Sequence, residues 1–107
     1  MQRFGQTIRL RPERATEYEA LHAAPWSGVL DAIRTANIRN YSIFRHDDRL
    51  FAYFEYVGDD FDADMARMAA DPVVAEWWSH TDAMQEPFPE GEAGSWWLTI
   101  PEIFHTD

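Results

Sequence analysis

Tyr18 and His22 stand four residues apart in a stretch rich in helix formers, so one helix face carries a phenol and an imidazole together. Imidazole has an ordinary pKa of about 6.5, close to neutrality, which makes His22 the best general acid–base candidate in the chain. A single histidine on a helix is also often merely exposed or satisfied by a neighbour, and spacing alone does not separate these readings. Trp26 continues the same face beyond Pro25. Trp77 and Trp78 form a second aromatic group. Adjacent helical residues point about 100° apart, so one can fill a core while the other faces a cleft. Large aromatic faces stack on the C–H faces of sugars, which is a physical reason to find Trp beside Tyr and His in a carbohydrate site. Plain core filling competes with that reading. Tyr41 lies on a β-rich run, where its phenol either donates to a ligand or caps the core edge. Trp96 and Trp97 open the last β-rich run, and alternation there sends one to the core and the other to an interface, a structural role for both.

Other chemistries find little support. The histidines, His22, His46, His80 and His105, show no metal-ligand spacing, and Glu76 with His80 reads as an ordinary i,i+4 pair. Neither a Gly-rich phosphate loop nor a G-x-S-x-G elbow occurs. Asp59, Asp60, Asp62 and Asp64 cluster at a helix start, where capping and dipole complementarity account for them. The chain has no cysteine, which excludes disulfides, thiol nucleophiles and Cys-ligated metals. All 9 basic residues are Arg, so no lysine can form a Schiff base. A formal charge of −10 argues against nucleic acid, anionic membranes and highly anionic substrates, and favours a small neutral ligand. Neither a metal nor an organic cofactor is expected. No apolar run approaches the ~18 residues of a membrane span. The opening residues lack an apolar signal-peptide segment, and a cytoplasmic location is expected.

The elements that must position these side chains follow from patterning. At 107 residues the chain is the size of one domain, residues 1–107. With 46% hydrophobic and 15% aromatic residues it holds more apolar material than a lone small core needs, a hint of a binding cavity or a subunit interface. Arg3 to Leu10 alternates as a strand. Pro12 precedes a helical stretch from Glu13 to about Ala36 that Pro25 and Gly28 interrupt. Ile38 to Arg45 and Leu50 to Val57 form a hairpin around Asp47-Asp48. Asp59 or Asp60 caps a helix to about Ala70, and Asp71-Pro72 starts another to about Met84. Pro87 to Gly94 is a loop, and Ser95 to His105 is a last strand weakened near Pro101. The order β-α-β-β-α-β, with its second helical element split, predicts an α+β fold: a ferredoxin-like antiparallel sheet with helices on one face. A two-residue turn would pair Tyr41 with Phe54 and Ile43 with Ala52, and on the other face Phe44 with Phe51 and Ser42 with Tyr53. Both faces are then substantially apolar, so the face without helices predicts a homodimer packed sheet on sheet.

Taken together, Tyr18-x-x-x-His22, Trp26, Asn40-Tyr41-Ser42-Ile43, Leu50-Phe51-Ala52, Trp77-Trp78 and Glu102-Ile103-Phe104 hold an order and spacing that resembles the L-rhamnose mutarotase family over nearly the whole chain. The resemblance implies a ferredoxin-like fold of the dimeric α/β-barrel type, a homodimer, and exchange of the anomers of a free 6-deoxy sugar without cofactor. It also implies that His22 is the proton donor and that Tyr18, Tyr41, Trp77 and Trp78 contact the sugar. Three segments depart from the family: Pro25-Trp26-Ser27-Gly28, where the family often shows an Ile-Trp-Pro-Glu-like stretch, the hairpin tip, which is short, and Trp96-Trp97. Cofactor-free monooxygenases and haem-binding proteins use Trp, His and Asn on the same fold, and a non-catalytic small-molecule binder is a third reading.

Overall fold

The chain opens on β1 (Gln2–Leu10), in which Ile8 and Leu10 are completely buried on one face. These coordinates are a computed structural model that describes residues 1–90 and 96–107. β1 pairs antiparallel with β3 (Arg49–Tyr56), and β3 with β2 (Ile38–His46). Asp47 turns the hairpin at φ 52°, the left-handed region that Asp tolerates. From that turn the expected register holds as far as Ser42 opposite Tyr53, with Phe44 opposite Phe51 and Ile43 opposite Ala52.

The expected pairing of Tyr41 with Phe54 does not form. The register shifts between Arg39 and Ser42, and Asn40 adopts φ 52° in a β-bulge. The reason is parity. Leu50, Ala52, Phe54 and Tyr56 all face inward on β3. Their neighbours on β2 include Ile43, opposite Ala52, and Ile38, opposite Tyr56. An even and an odd position cannot both face inward on a strictly alternating strand. One extra residue resets the alternation, and the Tyr41 ring then lies 5.7 Å from that of Phe54.

Pro12 begins a 3-10 turn (Pro12–Arg14) that runs into α1 (Ala15–Ala23). Pro25 separates α1 from α2 (Ser27–Thr35), as its missing N–H demands. Gly28 does not interrupt anything; it sits inside α2, where a Cβ would lie 2.9 Å from Val73 Cγ1. It permits close approach of two helices. The turn after α2 closes with Asn37 at φ 64°, its N–H donating to the Arg34 carbonyl at 3.0 Å. α3 (Phe61–Ala70) is capped by Asp60, which accepts from the Ala63 N–H at 3.1 Å. α4 (Pro72–Met84) is capped by Asp71, which accepts from the Val73 N–H at 2.9 Å. Asp64 does more than complement a helix dipole. It is buried, accepts from Tyr56 Oη and from Asn37 Nδ2, and pairs with Arg67.

The last strand is shorter than expected. Two residues after α4 form β4 (Gln85–Glu86) against Arg9 and Leu10, and β5 (Leu98–Ile100) pairs with Gly5 to Thr7. Ser95 lies outside the described residues. Pro101 cannot extend the ladder, and Glu102 pairs with Arg3 at 2.8 Å instead. The sheet order is β2-β3-β1-β4, with β5 also on β1. This is the ferredoxin-like α+β fold of the dimeric α/β-barrel type, a curled antiparallel sheet with four α-helices among the described residues.

Two apolar clusters join the helices to the inner face. One contains Ile8, Leu10, Tyr18, Leu50 and Met84; the other contains Ala36, Ile38 and Phe54, with Phe61 and Met65 against them. The outer face carries Phe44, Phe51 and Ile100, of which Phe44 is 64% exposed. No helix among the described residues is long and apolar enough to cross a membrane.

Candidate active site

Between the two clusters lies a cavity of about 710 Å³, bounded by the inner sheet face and by α1, α2, α3 and α4. The five residues that the resemblance assigns to the site all line it: Tyr18 and His22 on α1, Tyr41 at the bulge, Trp77 and Trp78 on α4. Trp77 is buried and Trp78 is 37% exposed, so neighbouring indoles serve one wall at different depths.

Helical spacing stacks the Tyr18 and His22 rings, with centroids 4.2 Å apart, and Trp77 meets the imidazole edge-on at 5.2 Å. Trp26 lines none of this wall directly; it packs edge-on against Trp77 at 5.1 Å and supports it from behind. His22 Nδ1 lies 2.8 Å from the Tyr18 carbonyl oxygen. A carbonyl only accepts, so Nδ1 carries the proton and Nε2 keeps a lone pair. Burial lowers the His22 pKa, and the Tyr18 carbonyl offsets this in part by stabilising the charged ring. At neutral pH the imidazole is therefore an uncharged base.

Desolvation also moves the phenols. Tyr18 is buried and its pKa rises for that reason, although Gln85 works against the shift. Tyr41 keeps 38% of its surface open, yet the protein atoms crowding its hydroxyl push it up to about 12. Both phenols stay protonated and can donate. Asp82, on the α4 wall, has its carboxyl pKa raised by desolvation.

Sequence reasoning missed several lining groups. Gln6, Asp82 and Gln85 give no local signal, because only the packing of distant elements brings them to one place. Of Trp96 and Trp97, expected at the core and at an interface, Trp97 does pack against the first cluster, but both line the cavity. The strand begins only at Leu98, so the alternation that would send them apart does not apply. The Trp96 indole N–H donates to Gln85 Oε1 at 2.8 Å. Glu76 and His80 form the expected i,i+4 pair at 3.4 Å. Among the described residues no group of His, Asp or Glu is arranged to hold a metal ion.

A family profile described as L-rhamnose mutarotase matches residues 3–106. The chain belongs to the L-rhamnose mutarotase family. An L-rhamnose mutarotase of Phocaeicola vulgatus is 30% identical over 109 residues, covering 100% of both chains. A solved L-rhamnose mutarotase from Formosa agariphila superposes with a TM-score of 0.78 at 19% identity, again covering 100% of both. Tetracenomycin F2 cyclase of Streptomyces glaucescens, a type-II polyketide cyclase, shares the fold at TM-score 0.68 and 18% identity, covering 99% of this chain and 96% of its own. A mutarotase and a cyclase thus share one fold, and the chemistry of this family member has to be argued from its own cavity.

Proposed function

We propose that this protein exchanges the α and β anomers of a free 6-deoxy aldose, L-rhamnose, by general acid/base ring opening at His22. One observation carries the reading: an imidazole fixed through Nδ1, with its Nε2 lone pair available in a cavity walled by indoles and phenols. The name of the matching family and of the relatives supports the choice of sugar. Ring opening moves one proton from the anomeric hydroxyl to the ring oxygen. His22 Nε2 takes that proton as the electron pair of the C1–O5 bond passes to O5. The imidazolium then returns the proton to O5, giving the open hydroxyaldehyde. Rotation about C1–C2 and the reverse steps close the other anomer, and in closing His22 is the proton donor to the anomeric oxygen. Burial suits both halves, because a lowered pKa keeps the base neutral and makes its conjugate acid stronger. Trp77 and Trp78 stack on the sugar and exclude water, while Tyr18 and Tyr41 hydrogen-bond its oxygen atoms. A positioned acid–base group contributes roughly 10²–10⁴-fold. Exchange NMR on L-rhamnose measures the rate directly. His22→Ala is expected to fall to the buffer rate; a variant as fast as the parent refutes the assignment.

The proposal includes a homodimer formed through the outer sheet face, supported by exposed Phe44, Phe51 and Ile100 on the side the helices leave open. Phe44→Glu is expected to yield a monomer by light scattering, and a dimer that survives it argues against this interface. A cytoplasmic location belongs to the same reading, in keeping with a chain free of cysteine.

A further inference from the structure

Gln85 and Trp96 take no part in the reaction just outlined, yet they make close polar contacts on the cavity wall. Gln85 is 2% exposed, and its amide bridges two aromatic side chains. The Trp96 indole nitrogen lies 2.8 Å from Oε1, and Nε2 lies 3.0 Å from the Tyr18 hydroxyl. An indole N–H can only donate, so the amide atom facing it is the carbonyl oxygen. The other end is then the NH₂ group, and it donates to Tyr18. Trp96 thereby fixes which way round the amide sits.

The consequence falls on the Tyr18 proton. With a lone pair of its oxygen occupied by Gln85, the hydroxyl must send its own hydrogen elsewhere. Among the described residues no other protein acceptor meets it, and the side chain lines the cavity. The phenol thus presents its hydrogen to the cavity as a donor. In a free pyranose the ring oxygen has no hydrogen and can only accept. It is also the atom on which negative charge develops as the ring opens, where a preset donor helps most. We propose that Trp96 and Gln85 are positioning residues that turn the Tyr18 hydroxyl into a fixed hydrogen-bond donor to the sugar ring oxygen. This rests on the mutarotase reading above.

Two substitutions break the chain at different links. Trp96→Phe keeps the ring and removes the N–H. Gln85→Glu replaces a donor by a carboxylate that draws the Tyr18 proton away from the cavity. Each is expected to lower kcat for L-rhamnose exchange by about tenfold, the scale of one hydrogen bond, with KM little changed. Gln85→Glu carries a further signature: its kcat deficit relative to the parent at the same pH narrows toward acid, as the new carboxyl gains a proton and can donate again. In a Tyr18→Phe background neither change is expected to cost more than about twofold, because the group they act through is gone. Equal costs in both backgrounds, or an unchanged kcat in variants that melt like the parent, overturn the proposal. The Trp96 indole N–H resonance supplies a readout independent of turnover, since it should be protected from solvent exchange in the parent and unprotected in Gln85→Ala. A parent that exchanges anomers with an unprotected indole refutes the positioning chain alone. A parent with a protected indole and no exchange refutes the mutarotase reading, and the ring-oxygen role with it.

Discussion

Replacing Asn40 by Val tests whether the bulge in β2 is held by that residue. Asn40 sits at φ 52°, where an ordinary side chain meets the following carbonyl, and a β-branched one fares worst. That conflict costs about 1–3 kcal/mol. Asn40 also donates to Glu55 Oε1 at 2.8 Å, but this pair is exposed and water-screened, so it contributes much less than the backbone conflict. A loss near 2 kcal/mol corresponds to a drop of roughly 10 °C in Tm for a domain of this size. Asn40→Gly separates the two contributions, because glycine accepts the backbone angle and forfeits only the side-chain bond. Thermal melting by circular dichroism should therefore place Asn40→Val well below both the parent and Asn40→Gly. Since the bulge aims Tyr41 at the cavity, the Val variant should also bind L-rhamnose more weakly by calorimetry. If the Val and Gly variants melt together, the left-handed angle is not what holds the bulge.

Acid should disable the protein in two linked ways. Because the folded His22 pKa is depressed, kcat/KM should fall along an acid limb centred below the ordinary imidazole value of about 6.5, and a pH–rate profile locates it. The unfolded chain binds the proton more readily, so the stability this histidine contributes is complete above about 6.5 and is lost as pH drops toward the folded value. Melting curves should show this, and His22→Gln should flatten it. Asp64→Ala should cost about 3 kcal/mol in urea unfolding with an unchanged slope, because it strands the Tyr56 hydroxyl and the Asn37 amide.

Much of the scaffold was legible where one local rule decides the outcome. Asp71-Pro72 starts α4 because a cap and a fixed φ coincide, and Pro25 ends α1 because it lacks a donor. The Tyr18, His22, Trp77 and Trp78 placements followed from helical spacing together with the family pattern. What stayed hidden depends on contacts between distant segments. The bulge exists to reconcile Ile38 with Ile43, a conflict visible only once β3 is known to bury its even positions. Gln85 looks like any polar residue after a helix; its importance comes from Trp96, 11 positions away. Asp64 reads as one more carboxylate in an acidic run until Tyr56 and Asn37 are seen to converge on it.

The apolar interior is divided: two clusters of side chains stand apart with a hollow between them. A solid centre would make the protein indifferent to its ligand. On the proposed reading the sugar is the missing piece of the interior, filling the space lined by these side chains. Occupancy and rigidity are then one variable, and an empty molecule has reason to breathe across that gap while a filled one does not.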